Sequence, residues 1–365
     1  MRLIDKIKKM GSLLILSTCC LTSCNFLDVV PPEQAGLGDA VKKPESTLGF
    51  LYSCYAGIKG SSNPITYTGM EAASTDEFVF PELWGHSGQR AGWGLLTPES
   101  PGDWKWGNIY RYIGQCYLFL SQLPNALDVS EVQKREWTAE ANFLIAYYHF
   151  LILEYYGPCP ITDSYIDMDT PNNEYHGRYH FDYVTSWISM KLDEAAKDLP
   201  ASRIGSEWGR ATSTIAKAVK AQLLLLAASP LFNGNSDYIN VKDNQGRHLF
   251  PTQVDNSKWK LAADAALEAI NCAKENGHEK LYTFSLPINS ISAATRKLLD
   301  IGEAVTEKWN EEIIWGSTRN VNGLQTAAMA KHTKGNNYNA RSVLGPTLSV
   351  AEAFYSSNGV PISED

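Results

Sequence analysis

Residues 137–159, WTAEANFLIAYYHFLILEYYGPC, decide the fold. Apolar side chains at Trp137, Ala141, Leu144, Tyr148, Leu151 and Tyr155 recur at alternating steps of four and three. That spacing draws one stripe along a helix of 3.6 residues per turn. Nearly every other position from Phe143 to Tyr156 is apolar or aromatic as well, so the helix is expected to be buried on most sides. It would be about 30 Å long, the width of a small domain. Glu140, Asn142, His149 and Glu154 interrupt the run, so it cannot span a bilayer by itself. Gly157-Pro158-Cys159-Pro160 ends it, because Gly supplies the terminal turn and Pro cannot continue a helix.

The flanking sequence repeats the pattern. Residues 45–57 predict a short first helix with Leu48, Leu51 and Tyr55 on one side. Residues 104–123 carry Ile109, Ile113, Cys116, Leu120 and Leu123, and a turn then leads to Ser130 and Gln133, which are spaced as a capping box. Further stripes run through 181–199, 212–229 (closed by Pro230) and 257–272, the last on Trp259, Ala262, Ala266 and Ile270. Trp104, Trp137, Trp187 and Trp259 fall on these stripes and are expected in the core. Five long amphipathic helices in antiparallel-looking pairs, with Ala-rich contact faces, predict an all-α, tetratricopeptide-like helix-pair superhelix. The strict 34-residue consensus is not met, so the expectation rests on the pairing alone. From Leu281 the pattern loosens. Residues 312–317 (EIIWGS) predict a short strand and 348–355 a short helix, which leaves a small irregular C-terminal part.

Composition bounds what this scaffold does. The chain has 365 residues and a net charge of −8 with both signs interspersed, which supplies no basic face for nucleic acid. Ten Trp and 18 Tyr offer flat apolar faces with polar edges, useful in cores and binding sites alike. At the N-terminus, Arg2, Lys6, Lys8 and Lys9 precede an apolar run from Leu13 to Leu21, too short to cross a membrane. Residues 1–23 therefore read as a secretory signal. Leu21-Thr22-Ser23-Cys24 resembles a bacterial lipobox, which implies cleavage before Cys24 and a lipid on its sulfur; the alternative is an ordinary signal peptide with a chance Cys. Residues 24–44 would be the tether, and 45–365 the helical domain. Cys54, Cys116, Cys159 and Cys272 lack the spacing of a metal knuckle or redox pair and are expected as buried thiols, with one disulfide left open in an oxidising compartment.

Two long segments, 61–103 and 318–344, show little helical period. Loops of this length inside a compact domain are usually functional.

Several segments, in order, resemble the SusD/RagB family of Bacteroidetes outer-membrane nutrient-binding lipoproteins. They are Cys24-Asn-Phe-Leu-Asp28 with Pro31, Trp106-Gly-Asn-Ile-Tyr-Arg-Tyr-Ile113, and Glu140-Ala-Asn-Phe-Leu-Ile-Ala-Tyr-Tyr-His-Phe150 continuing to Tyr156-Gly-Pro-Cys-Pro160. Leu192-Asp-Glu-Ala-Ala196, Gly209-Arg-Ala-Thr212, Asn310-Glu-Glu-Ile-Ile314 and Phe354-Tyr355 with Asn358-Gly359 follow. The chain departs from the family at Asn142 and Ile145, where Arg is common, and at Cys159, where an aliphatic residue is usual. Family members usually continue well past Asn358-Gly359, so the chain is expected to be truncated or a fragment. The resemblance implies a helical scaffold with a loop-rich ligand face, lipid-anchored in the outer membrane and facing the cell surface. It further implies capture of a glycan and its delivery to a SusC-like, TonB-dependent outer-membrane transporter, with no catalysis and no cofactor. The alternative within the family is a structural lid or adaptor of the transporter with a peptide or other non-glycan ligand.

A sugar site needs an aromatic ring for the apolar face of a pyranose, and paired polar groups for its hydroxyls. The loops supply Trp84, Trp93 and Tyr338 for stacking, and Asp76, Arg90, Asn337 and Arg341 for polar contacts. His176-Gly-Arg-Tyr-His180 has the spacing of a metal pair but lies in a Gly-containing loop without the Glu of a zinc helix, so no metal is expected. Glu311 and Glu312 would point to opposite faces of the expected strand, which defeats a glycosidase pair. Neither a nucleophile elbow nor a phosphate loop is present in the sequence.

Overall fold

The computed structural model describes residues 36–58, 74–79, 87–97, 99–100, 105–167, 169–171, 174–278, 280–285, 291–317 and 345–365. The main helices are α1 (Pro44–Tyr55), α2 (Lys105–Gln122), α3 (Glu131–Tyr156), α4 (Phe181–Asp198), α5 (Ser213–Ala228), α6 (Ser257–Glu275) and α7 (Ala293–Thr306). From α1 to α6 each helix packs on the next in sequence: α1 on α2, α2 on α3, α3 on α4, α4 on α5 and α5 on α6. Neighbour-on-neighbour stacking of helices is the tetratricopeptide-like solution, and the described chain is mainly helical, as the periodicity predicts.

The centre of this stack is α3, with 26 residues and so about 39 Å of length. Ser130 Oγ accepts from the Gln133 N–H, and the Gln133 side chain accepts from the Ser130 N–H, which completes the capping box. At the other end Gly157 adopts φ 66° and ψ −141°, a region that side-chain-bearing residues avoid. Phe143, Leu144, Ile145, Tyr148, Ile152 and Leu153 are fully buried around the helix, and from 143 to 153 only Tyr147 and Leu151 keep partial exposure. Burying side chains of this size contributes about 1.5–3 kcal/mol each. The hydroxyl of Tyr148 would be a liability there, but it donates to the Cys54 carbonyl at 2.5 Å.

Small residues decide how the other helices meet. On α6 the buried positions are Ala262, Ala265, Ala269, Cys272 and Ala273, so the backbones of α5 and α6 come close. This corrects the expected stripe: Trp259 is 45% exposed and Ile270 50% exposed, because the Ala face turns inward and the larger side chains rotate out. On α2 the fully buried ring is Phe119, and Leu120 is half-buried. Trp137 is buried and Trp187 half-buried, its ring 4.8 Å from that of His149; Trp104 lies outside the described residues. The four cysteines of the domain are free and buried.

Three expectations after α6 and in the first long segment change. The 61–103 segment contains a short helix, Ser87–Gly92. The stretch where the pattern loosens holds α7, amphipathic but without a buried residue. The strand expected at 312–317 does not form. Asn310 closes a turn there, its Nδ2 donating to the Ala304 carbonyl at 2.8 Å and its Oδ1 accepting from the Glu312 N–H at 3.0 Å. The bend sends Trp315 onto α3, with its ring 5.4 Å from Phe143 and 5.0 Å from Tyr147. Leu348–Glu352 is helical, as expected. Among the described residues no helix is long and apolar enough to cross a membrane.

Candidate functional site

The first long segment is paired through its backbone with residues just past the second. Phe78–Val79 (β1) pairs antiparallel with Gly345–Pro346 (β2), with Phe78 opposite Pro346 and Val79 opposite Gly345. The contact extends by one residue, since the Thr347 N–H donates to the Glu77 carbonyl at 3.0 Å and Thr347 Oγ1 donates to the Asp76 carbonyl. Thr347 also caps the helix that follows, where its Oγ1 accepts from the Val350 N–H at 3.3 Å. The interior of the first segment is thus fixed to the residues that directly follow the second.

Asp76 is exposed at this junction. Arg90 lies on the helix Ser87–Gly92, where its Nη2 donates to Ser100 Oγ at 3.2 Å and to the Leu95 carbonyl at 3.4 Å. It braces the loop with one nitrogen and retains further donors on its guanidinium. Trp93 follows on the turn closed by Gly94 (φ 69°) and is 50% exposed, more than a ring packed beneath its own loop would be. Trp84, Asn337, Tyr338, Arg341 and the lipid-attachment candidate Cys24 lie outside the described residues.

Within the helical scaffold lies an ion cluster that sequence reasoning missed. Glu140, on α3 and fully buried, accepts from Tyr55 Oη at 2.5 Å, Arg203 Nη2 at 2.9 Å, Arg210 Nε at 3.1 Å and Arg210 Nη2. Arg203 and Arg210 further engage Glu136 and Glu207. Burial disfavours the charge of Arg210, but the hydrogen bond and charge of Glu140 outweigh this and hold its pKa above the ordinary value. Burial and the Glu140 charge push the Tyr55 hydroxyl well up, so it stays a neutral donor. Both guanidiniums are spent on carboxylates and are not available to a ligand. The signal in the sequence was the pairing of Glu140 with the Gly209-Arg210 motif, legible only once the two are known to touch.

The remaining titratable candidates also have structural partners. His149 is buried; its Nδ1 faces the Ile145 carbonyl at 2.7 Å, and its Nε2 accepts from the Thr162 N–H at 3.1 Å. Burial lowers its pKa to about 4. Burial likewise pushes the Cys159 thiol up to about 12. His180 Nδ1 accepts from the Asp182 N–H at 3.2 Å and caps α4. Among the described residues no group of three His, Cys, Asp or Glu side chains is arranged to hold a metal. Glu311 and Glu312 sit on a turn rather than a strand, and Glu312 Oε1 accepts from the Tyr282 N–H at 2.7 Å.

A family model of the SusD-like group, described as starch-binding and associating with the outer membrane, matches residues 53–224. No curated protein matches the chain. Among solved structures, BT4246 is 39% identical with a TM-score of 0.77, over 89% of this chain and 59% of its own. A SusD-like protein of Bacteroides fragilis, BF3747, is 18% identical with a TM-score of 0.61, over 90% of this chain and 57% of its own. A SusD-like carbohydrate-binding protein of the same species, BF0978, is 18% identical with a TM-score of 0.60, over 89% of this chain and 55% of its own. The chain thus spans less than two-thirds of each of these proteins, and the last two bear on the fold alone. With the SusD-like family model matched over residues 53–224, 39% identity to BT4246 across most of the chain's length and a fold shared with solved SusD-like proteins, the chain is SusD-like in sequence and fold.

Proposed function

We propose that this protein is an outer-membrane, surface-facing lipoprotein, anchored through Cys24, that captures a glycan and passes it to a SusC-like, TonB-dependent transporter. The observation that carries the reading is the pairing of Phe78–Val79 with Gly345–Pro346. It ties the segment bearing Asp76, Arg90 and Trp93 to the residues that follow, in sequence, the one bearing Asn337, Tyr338 and Arg341. Exposed Trp93 supports it, because a half-exposed indole on a braced loop is a ready platform for a sugar ring. The family description as starch-binding and outer-membrane-associated supports the ligand class and the location. Binding rather than catalysis follows in this reading, since the buried carboxylate and histidine are committed to structure.

Affinity electrophoresis against soluble polysaccharides, followed by calorimetry on those that retard the protein, tests it. Trp84→Ala and Trp93→Ala are each expected to weaken binding, and the double variant to weaken it further. If the double variant binds every polysaccharide as the wild type does, the loop face is wrong. If the wild-type protein binds none yet co-purifies with the barrel, the lid or adaptor reading replaces this one.

A further inference from the structure

A cleft of about 500 Å³ is walled by residues from 201–215, 276–285 and 307–316, none of them in the paired strands. Its volume falls within the range of about 300–1,000 Å³ typical of small-molecule sites. Two indoles dominate it. The rings of Trp208 and Trp309 lie 4.9 Å apart, tilted by 36°. Trp208 is 39% exposed and Trp309 half-buried, so both retain surface beyond the face they share. Trp208 is oriented by its Nε1–H, which donates to the Arg203 carbonyl at 2.8 Å. Trp309 has φ 62°, a left-handed backbone that a bulky residue adopts only where its surroundings impose it.

The polar walls narrow the choice of ligand. Arg203 and Arg210 form part of the floor, but their charges are held by Glu136, Glu140 and Glu207. Carboxylates of Glu307 and Glu311 stand at the rim, and both residues are exposed. Among the described lining residues an anion would meet negative charge without a spare Lys or Arg to hold it. A wholly apolar molecule would strip water from the carboxylates without replacing their hydrogen bonds. A neutral ring with hydroxyls on its edge and C–H groups on its face satisfies both constraints. His278 adds a polar atom in place: its Nδ1 lies 2.7 Å from the Glu311 carbonyl, which leaves Nε2 as the ring's other polar atom.

We propose that this cleft is a second saccharide site, in which Trp208 stacks on a pyranose ring while Glu311 and His278 engage its hydroxyls. The choice of sugar as ligand rests in part on the glycan reading above; the cleft itself lies outside 61–103 and 318–344.

The test is fluorine NMR of the full chain carrying fluorotryptophan, titrated with methyl glucoside and with malto-, laminari- and manno-oligosaccharides. Trp208→Phe and Trp309→Gly assign the two resonances; glycine suits the left-handed backbone at 309, and phenylalanine keeps a ring at 208, so both variants should fold. The expected result is a saturable shift of both resonances with at least one sugar, persisting in Trp93→Ala. Trp208→Ala should then weaken that sugar about three- to tenfold, the worth of one aromatic contact. A shift at Trp93 with Trp208 and Trp309 unmoved by every sugar overturns the cleft and leaves the loop face standing. Shifts at Trp208 and Trp309 with Trp93 unmoved uphold the cleft and overturn the loop face. Silence at all three overturns both.

Discussion

Replacing Glu140 by Gln probes the lock on which the scaffold depends. The substitution keeps the side chain's shape, so no cavity opens and the change is electrostatic. Glu140 is fully buried and takes four donors: one from Tyr55, one from Arg203 and two from Arg210. Gln presents an NH₂ group where a carboxylate oxygen stood, so at least one Arg donor faces another donor. Removing one partner of a buried ion pair costs about 3–5 kcal/mol. The lower end applies here, because Arg203 and Arg210 keep Glu136 and Glu207, whose side chains are 27% and 45% exposed. A loss of about 3 kcal/mol is a large share of the 5–15 kcal/mol that typically holds a domain together. Urea unfolding followed by circular dichroism should show a lower midpoint at unchanged slope. Added salt should leave the deficit in place, since a buried pair is poorly screened. The control is Glu207→Gln, whose half-exposed partner contact should be worth about 1 kcal/mol or less and should fade in salt. Glu140→Gln within about 1 kcal/mol of wild type would refute the cluster as the lock.

Three further outcomes follow from the same geometry. His149 has its pKa lowered from 6.5 to about 4 by burial, so the unfolded chain binds a proton that the folded one refuses. Its contribution is complete above pH 6.5, drains as pH falls, and levels off below about 4. The 2.5-unit difference corresponds to about 3 kcal/mol, and unfolding curves across that window should lose the slope in His149→Gln. Gly157→Ala should destabilise by about 1–3 kcal/mol, because φ 66° disfavours a side chain and the new Cβ would lie 3.0 Å from Phe250 Cζ; an unchanged melting temperature would count against it. Finally, a thiol reagent should label Cys54, Cys116, Cys159 and Cys272 only after denaturant is added, since all four are buried and burial pushes the Cys116 thiol up; rapid native labelling at any of them would contradict this packing.

What could be seen in the sequence divides along a physical line. The α3 pattern was readable because periodicity is local: a stripe at Trp137, Ala141, Leu144 and Tyr148, a Ser130 cap and a Gly157 stop all lie within one helix. The same residues hid Glu140 and His149, whose polarity looked like breaks in an apolar run. Their burial is tolerated because of Tyr55, Arg203, Arg210 and Thr162, partners that no local window contains. On α6 local pattern gave the helix but the wrong face, since the large side chains of Trp259 and Ile270 outweighed a run of alanines that packing prefers. At 312–317 the β-branched run outvoted Asn310, whose two carbonyl contacts bend the chain. The candidate site follows the same rule. That 61–103 has little regular structure could be read from composition; that its Phe78–Val79 pairs with Gly345–Pro346 could not, because backbone pairing across such a separation leaves no local mark on either strand. The residues worth mutating first are therefore those where a local rule is broken and a distant partner repairs it. Glu140 for stability and Trp309 for binding are the two clearest cases, one a buried charge and the other a left-handed indole.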